Sequence, residues 1–110
     1  MLSICTRTAG NIAILDAEGR VTSSDGTSAQ MRSALVDAAD WSPKILINLG
    51  QVTYIDSSGI SELITATKAR GRQVKILNPN TYLLKLLKMS QLDGYLDIHF
   101  DEKAALGSFK

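Results

Sequence analysis

The most informative hydrophobic pattern lies in the middle of the chain. A continuous apolar run, Ile45–Leu49, is followed by Gly50 and by the shorter apolar-alternating segment Val52–Ile55. The polar and small residues Asp56–Gly59 come next, and after them the apolar spacing changes from two to about 3.6. This pattern predicts a buried strand, a turn at Gly50, a short extended piece, and then a tight polar turn that leads into a helix.

Apolar runs separated by turn residues predict the other elements. The predicted strands cover residues 2–8, 12–17, 74–77 and 98–100, and further helices end near Ala39, cover Tyr82–Lys88 and run from about residue 101 toward Phe109. The first two strands are joined by Ala9–Asn11, a loop so short that they should pair as an antiparallel hairpin. The polar stretch Gly19–Gly26 predicts a loop before the first helix.

Helix ends are indicated by capping residues and by breakers. Asp25, Thr27 and Ser28 are equal candidates for the N-cap of the first helix, and Pro43 ends it by disfavouring helical geometry at Ser42. The central helix should end in the basic segment Lys68–Gly71. The remaining caps stay open between neighbouring residues: Asn80 or Thr81 for the third helix, Asp101 or Glu102 for the last.

The order of these elements predicts a single α/β domain over residues 1–110. Dense Val, Ile and Leu on consecutive strand positions are typical of a parallel strand buried on both faces. We therefore expect a mixed sheet with a parallel centre and an antiparallel N-terminal hairpin, flanked by about four helices.

Composition narrows the functional classes. The formal net charge is +1, which gives no general reason to expect nucleic acid as a partner. No apolar run reaches the roughly 20 residues of a membrane span, and no signal peptide is visible, so we expect a cytoplasmic protein without direct membrane insertion. The lone Cys5, expected as a small buried residue, and His99 leave no metal site or cofactor to predict.

The Asp56–Gly59 corner has two interpretations. It is a good helix N-cap, and it is also a pair of hydroxyls at the carboxyl end of a buried strand, where α/β sheets place ligand sites. A hydrolase elbow requires Gly-x-Ser-x-Gly, but the first glycine is absent and no residue is available to orient His99. Phosphate-binding glycine loops are also absent. We therefore do not expect an enzyme.

Two other segments have structural explanations that we favour. The basic cluster Arg70–Arg72, with Lys68 and Lys75, is more typical of a solvated helix end than of a nucleic-acid site, because no aromatic residues interleave it. The apolar run Leu83–Leu87 followed by Met89 is expected to pack against the sheet rather than to form a groove for a partner.

The central segment and the elements after it resemble a known family. Leu46–Leu49 followed by Val52–Ile60 is similar to the central motif of STAS domains, the anti-sigma factor antagonists of bacterial partner switching. Val74–Pro79 corresponds to the next strand and loop of that family, and Leu83–Leu92 to its third helix and the turn after it. The resemblance covers nearly the whole chain.

The resemblance implies a phosphorylation switch. In the family, the serine after the aspartate is phosphorylated by an anti-sigma factor that is also a kinase, which breaks the complex, and a phosphatase restores it. The matching residue is Ser57, with Ser58 as second choice. The implied partner-binding residues are Asp56, Ser57, Ser58, Gly59, Ile60, Glu62, Thr22 and Ser23. We expect the protein to be a monomer or a weak dimer.

Two departures from the family pattern support an alternative. The family often has Gly-Glu-Leu-Asp or Gly-Glu-Ile-Asp after its second strand, whereas this chain has Gly19–Thr22, and Glu62 would repel a phosphate on Ser57. The alternative is a constitutive interaction module of the same fold, without a phosphorylation switch. It would serve a lipid-transport ATPase or a stress-signalling assembly.

Overall fold

The computed structural model describes residues 2–68, 73–89 and 96–109, and within these ranges it contains five strands and four helices. In chain order they are β1 Leu2–Ala9, β2 Ile12–Val21, α1 Thr27–Ala39, β3 Lys44–Ile55, α2 Ser57–Lys68, β4 Gln73–Leu77, α3 Thr81–Met89, β5 Asp97–His99 and α4 Glu102–Gly107. The expected turn at 92–95, the helix end at 69–71 and the basic cluster at 70–72 lie outside the described residues.

The sheet has the order β1-β2-β3-β4-β5, with β1 and β2 antiparallel and the later pairs parallel. This confirms the expected mixed α/β architecture with an N-terminal hairpin. The parallel pairing brings the carboxyl ends of β2 and β3 side by side, with Val21 opposite Ile55. The loops that follow these two strands therefore meet at one edge of the sheet.

The core has two sides because strand side chains alternate between the faces of the sheet. Leu15, Ile47 and Ile76 face the layer formed by α1, α2 and α3, whereas Leu46 and Leu77 face α4. All five are at most 1% exposed. Burial of each such side chain stabilises the fold by about 1.5–3 kcal/mol, which explains the apolar residues on consecutive positions of β3.

Two predicted boundaries were wrong for a common reason. Strand β2 continues through Gly19 to Val21 instead of ending at Ala17, and β3 runs through Gly50 without a turn. The two strands remain paired across register shifts near Asp16 and Gly19, so the ladder continues where glycine had suggested a break. Gly19 adopts a φ of 118°, which only glycine adopts without strain.

The helix caps are now assigned. Gly26, with φ 78°, is the N-cap of α1, so none of the three candidates holds that position. Asn80 caps α3 by accepting a hydrogen bond from the Leu83 N–H at 2.8 Å, and Asp101 caps α4 through the Ala104 N–H at 2.9 Å. The sequence could not separate these neighbours because adjacent polar residues have similar cap preferences.

Two packing predictions had different outcomes. Leu83 and Leu87 are buried in the core, as expected, while Met89 is 74% exposed. Cys5 was expected to be buried but is exposed, in agreement with its place on β1, the edge strand of the sheet.

Candidate functional site

The carboxyl ends of β2 and β3 form a two-loop corner made of residues 21–25 and 56–59. The backbone joins the two loops directly, since the Asp56 N–H donates to the Val21 carbonyl oxygen at 3.0 Å. A side chain adds a second link, because the Ser23 N–H donates to Asp56 Oδ2 at 3.0 Å. The corner is therefore one unit, although its two loops are about thirty residues apart in sequence.

Asp56 is the N-cap of α2. Its Oδ1 accepts hydrogen bonds from the Ser58 N–H at 3.0 Å, from the Gly59 N–H at 3.2 Å and from the Ser58 hydroxyl. The Ile60 N–H donates to the Asp56 carbonyl oxygen and closes the first helical turn. Asp56 thus satisfies backbone donors at the start of α2 while it holds the neighbouring loop.

The two predicted phosphorylation residues differ in their surroundings. Ser58 is half-buried and donates its hydroxyl hydrogen bond to Asp56. Ser57, the first residue of α2, is exposed, and no hydrogen bond to its hydroxyl is formed by any residue that the structure describes. Ser57 therefore presents the accessible hydroxyl, while Ser58 contributes to the cap.

Gly59 lies where α2 comes closest to the sheet. A Cβ atom at this position would stand 2.5 Å from Cγ1 of Ile55 and 2.8 Å from Cγ1 of Val21. Its neighbour Ile60 is 7% exposed and belongs to the core. Both residues hold α2 against the sheet: the narrow contact requires a residue without a side chain at Gly59, and Ile60 packs in the core. The expected contact of these two residues with a partner stays a prediction.

Thr22 is 5% exposed, so this expected contact residue is also an internal support. Its hydroxyl donates to Asp25 Oδ1 at 2.6 Å, and its N–H donates to the Thr27 hydroxyl oxygen at 2.7 Å. Asp25 Oδ1 also accepts from the Thr27 N–H at 3.1 Å. These bonds set the shape of the loop after β2, whereas Ser23 remains exposed beside Asp56.

Glu62 lies one turn into α2 and pairs with Arg32 of α1, with an Nη1 to Oε2 distance of 3.6 Å. The Glu62 side chain is 19% exposed and the Arg32 side chain 61%. An ion pair at this exposure adds little to stability. It does give the Glu62 carboxylate a nearby positive charge, which reduces the repulsion that the carboxylate would exert on a phosphate at Ser57.

The carboxyl groups of the corner have pKa values below their ordinary range. Hydrogen bonds from the Thr22 and Thr27 side chains and the Thr27 N–H lower the pKa of Asp25 to about 2. The Ser58 hydroxyl, followed by the Ser23, Gly59 and Ser58 N–H groups, lowers the pKa of Asp56. Both carboxylates are therefore ionised at neutral pH, and the corner carries negative charge before any modification.

Acidification should destabilise the fold through these two carboxylates. Their folded pKa values lie below the unfolded value of about 3.9. Their contribution is thus complete only well above the unfolded pKa, from about pH 5, and it is lost progressively as the pH falls through the unfolded and then the folded pKa values. The Asp25→Asn variant keeps an acceptor oxygen but removes the titrating carboxyl group. The urea concentration at its unfolding midpoint should therefore fall less on acidification than that of the wild type. Asp37→Asn, an exposed site on α1, is the control and should follow the wild type. Equal slopes for all three proteins would contradict the prediction.

The structure gives no support to hydrolysis by a serine and histidine pair. His99 aligns with Leu77 of β4, which aligns with Asn48 of β3, eight residues before Asp56. At about 3.3 Å per residue, His99 lies roughly 25 Å from the corner along the sheet. Within the described ranges no group of three His, Cys, Asp or Glu side chains could hold a metal ion, and no helix is long and apolar enough to cross a membrane.

Comparison with known proteins gives one matching family. The family model described as "Mlab, STAS domain" matches residues 4–99. No curated protein matches the chain. The matched region contains most of β1, the whole of β2 to β5 and the whole two-loop corner.

Solved structures show the same fold at low sequence identity. An anti-sigma factor antagonist from Mycobacterium paratuberculosis is 14% identical with a TM-score of 0.86, over 98% of this chain and 93% of that chain. The anti-sigma factor antagonist SpoIIAA is 17% identical in both of its forms. The unphosphorylated form has a TM-score of 0.72, over 98% of this chain and 100% of the SpoIIAA chain. The phosphorylated form, from Bacillus, has a TM-score of 0.70, over 97% of this chain and 100% of the SpoIIAA chain. The murine anion transporter Slc26a9 is 11% identical with a TM-score of 0.71, over 87% of this chain and 17% of that chain.

Proposed function

This chain belongs to the STAS domain family, and on that premise we propose that it is an anti-sigma factor antagonist that is switched by phosphorylation of Ser57. The unphosphorylated protein binds an anti-sigma factor with serine kinase activity, in the cytoplasm, and thereby regulates transcription. The kinase then modifies Ser57 and the complex dissociates. A phosphatase removes the phosphate and restores binding. The protein itself is a binding partner and a kinase substrate, not an enzyme.

The observation that carries this proposal is the exposed Ser57 hydroxyl at the first position of α2. A kinase must bring the γ-phosphate of ATP to the nucleophilic oxygen, so an accessible hydroxyl without an internal partner is the suitable acceptor. Further support comes from the similar protein SpoIIAA, whose structure is known in both phosphorylated and unphosphorylated forms.

Electrostatics explains how the phosphate would break a complex. Phosphorylation adds about −1.5 to −2 charges beside Asp56, which is already ionised. The N-terminus of α2 compensates for part of this charge, by about 0.3–1 kcal/mol. The compensation stabilises the phosphorylated protein but does not help a partner whose surface was complementary to a neutral hydroxyl. That partner would have to desolvate a dianion without a counter-charge, so binding is lost.

Mapping of the modified residue tests the proposal. The protein is incubated with ATP and its cognate anti-sigma kinase, and the phosphate is located by mass spectrometry. We expect one phosphate on Ser57, loss of modification in Ser57→Ala, and continued modification in the matched control Ser58→Ala. Ser58→Ala removes one bond to the Asp56 cap but leaves the acceptor hydroxyl. Binding of the kinase without phosphate on Ser57 would contradict the proposal.

A constitutive interaction module is the second candidate, and two comparisons favour it. The matching family model carries the name Mlab, and the fold also recurs as a small part of a murine anion transporter. In this candidate the two-loop corner binds a lipid-transport ATPase or a stress-signalling assembly permanently. Phosphate would then be absent from Ser57 under all conditions, and a charge at Ser57 would not control binding.

A further inference from the structure

A cation and two tyrosines form a contact between three elements next to the two-loop corner. The Arg20 guanidinium carbon of β2 lies 4.8 Å from the ring centroid of Tyr54 in β3. The Tyr54 ring stacks on Tyr82 of α3, with 6.0 Å between centroids and an interplanar angle of 23°. Tyr54 comes two residues before Asp56, so this contact adjoins the corner.

The exposed side of α3 extends this contact into a surface. Tyr82, Lys85 and Met89 have the spacing i, i+3 and i+7, which places them on one stripe of the helix. Tyr82 is 48% exposed and Met89 is 74% exposed. We call the surface made of Arg20, Tyr54, Tyr82, Lys85 and Met89 the tyrosine patch. The patch presents aromatic and thioether groups to solvent. They are separate from the apolar side of α3, which is buried in the core through Leu83 and Leu87.

The charge of α3, which supplies three of the five patch residues, is one-sided. No Asp or Glu occurs in the sequence between Glu62 and Asp93, a segment that includes all of α3. Among the described residues, Arg7, Arg32 and Lys75 form ion pairs, whereas none is formed by Arg20 or Lys85. These two cations therefore need no internal carboxylate to be released before they bind an external one.

We propose that the tyrosine patch binds an acidic segment of a partner protein. A guanidinium that lies over a tyrosine ring keeps the N–H groups in its own plane free, and these can bind a carboxylate with two parallel hydrogen bonds. Arg20 and Lys85 would each receive a carboxylate, and the tyrosines and Met89 would contact the apolar side chains between them. Stacked aromatic residues and Arg are the residue types that dominate binding energy at protein interfaces.

Charge favours a peptide over an anionic membrane as the occupant. Electrostatic membrane attachment uses clusters of about 4–8 basic residues, whereas the described cations on and beside the patch are Arg20, Lys85 and Lys88. A partner that docks at the two-loop corner would extend over Tyr54 onto the patch. The inference does not depend on phosphorylation of Ser57, because neither cation belongs to the corner.

The test is a titration of the full chain with a short synthetic peptide of alternating glutamate and leucine, followed by amide NMR and fluorescence anisotropy at low salt. We expect the peptide to change the amide chemical shifts of Arg20, Tyr54, Tyr82 and Lys85. The variants Arg20→Ala and Lys85→Ala should each weaken peptide binding by about fivefold, and together by more than tenfold. The control Lys44→Ala changes a lysine at the opposite end of β3 that forms no ion pair with any described residue, and it should keep the wild-type affinity.

Several outcomes would overturn the inference. Peptide binding that persists in the double variant, or shifts that map elsewhere, would assign the acidic segment to another surface. Absence of peptide binding would remove the proposed occupant. Binding instead to phosphatidylglycerol vesicles or to a single-stranded oligonucleotide would replace it with a membrane or a nucleic acid. The substituted side chains are exposed or at the surface, so an unchanged circular dichroism spectrum is expected and should be recorded for each variant.

Discussion

Replacement of Gly59 by alanine should lower the free energy of unfolding by about 2–3 kcal/mol, the upper part of the range for overpacked cores. The new Cβ would stand 2.5 Å from Ile55 Cγ1, 2.8 Å from Val21 Cγ1 and 2.9 Å from Ile55 Cδ1. All three atoms belong to branched core side chains, with Val21 0% and Ile55 3% exposed, so they have little room to move. Helix α2 must therefore shift away from the sheet.

The measurement is urea unfolding followed by circular dichroism, with Gly107→Ala as the control. Gly107 also lies in a helix, at the end of α4. Apart from its chain neighbours and the backbone of its own helix, no described atom lies within 4 Å of a Cβ built there. The control isolates the contact from the general effect of alanine in a helix, which is favourable by roughly 0.5–1 kcal/mol. Equal stability of the two variants would show that α2 is not held by the close contact at Gly59.

A negative charge at Ser57 should weaken binding to the anti-sigma factor by about thirtyfold or more, if the proposed function is right. The Ser57→Asp side chain would stand next to the ionised Asp56 and place a second carboxylate on a surface that fits a neutral hydroxyl. An uncompensated charge buried at an interface typically costs 2–5 kcal/mol, which corresponds to at least this factor. Ser57→Ala should retain nearly full affinity, because the lost hydroxyl forms no hydrogen bond with any residue that the structure describes.

Isothermal calorimetry with the purified anti-sigma factor gives these affinities. Thr65→Asp is the matched control, because Thr65 is exposed on the same helix two turns beyond the corner. We expect it to bind within about threefold of the wild type, since charges this far apart are screened. Wild-type affinity in Ser57→Asp would favour the constitutive module. The peptide titration of the tyrosine patch is independent of either outcome.

The strands and helices were largely predictable because hydrophobic periodicity reports burial directly. The Ile45–Leu49 run indicated a strand covered on both faces, and the change of period after Gly59 indicated α2. The errors lie at glycines. Gly50 was interpreted as a turn, but parallel pairing with β2 extends β3 through it to Ile55. Glycine signals that the backbone is free to bend, and the neighbouring strand decides whether it does.

The candidate site was predicted in position but not in the roles of its residues. Sequence spacing placed Asp56 and Ser57 at a helix start, and the structure confirms that placement. The sequence spacing could not distinguish the free hydroxyl of Ser57 from the hydrogen-bonded hydroxyl of Ser58, because both are serines at the start of one helix. The difference depends on where the Asp56 carboxylate points, and that is decided partly by Ser23 on another loop.

The sequence by itself determined the mixed α/β fold, the family, and the position of Asp56–Gly59 at the junction of β3 and α2, because these follow from local periodicity and a compact motif. Only the tertiary structure decided that Gly59 and Ile60 are supports, that Glu62 pairs with Arg32, and which hydroxyl is free. It also brought Arg20, Tyr54 and Tyr82 together. The physical reason is that burial, ion pairing and stacking depend on distances between elements, and the spacing of residues along one chain does not contain those distances.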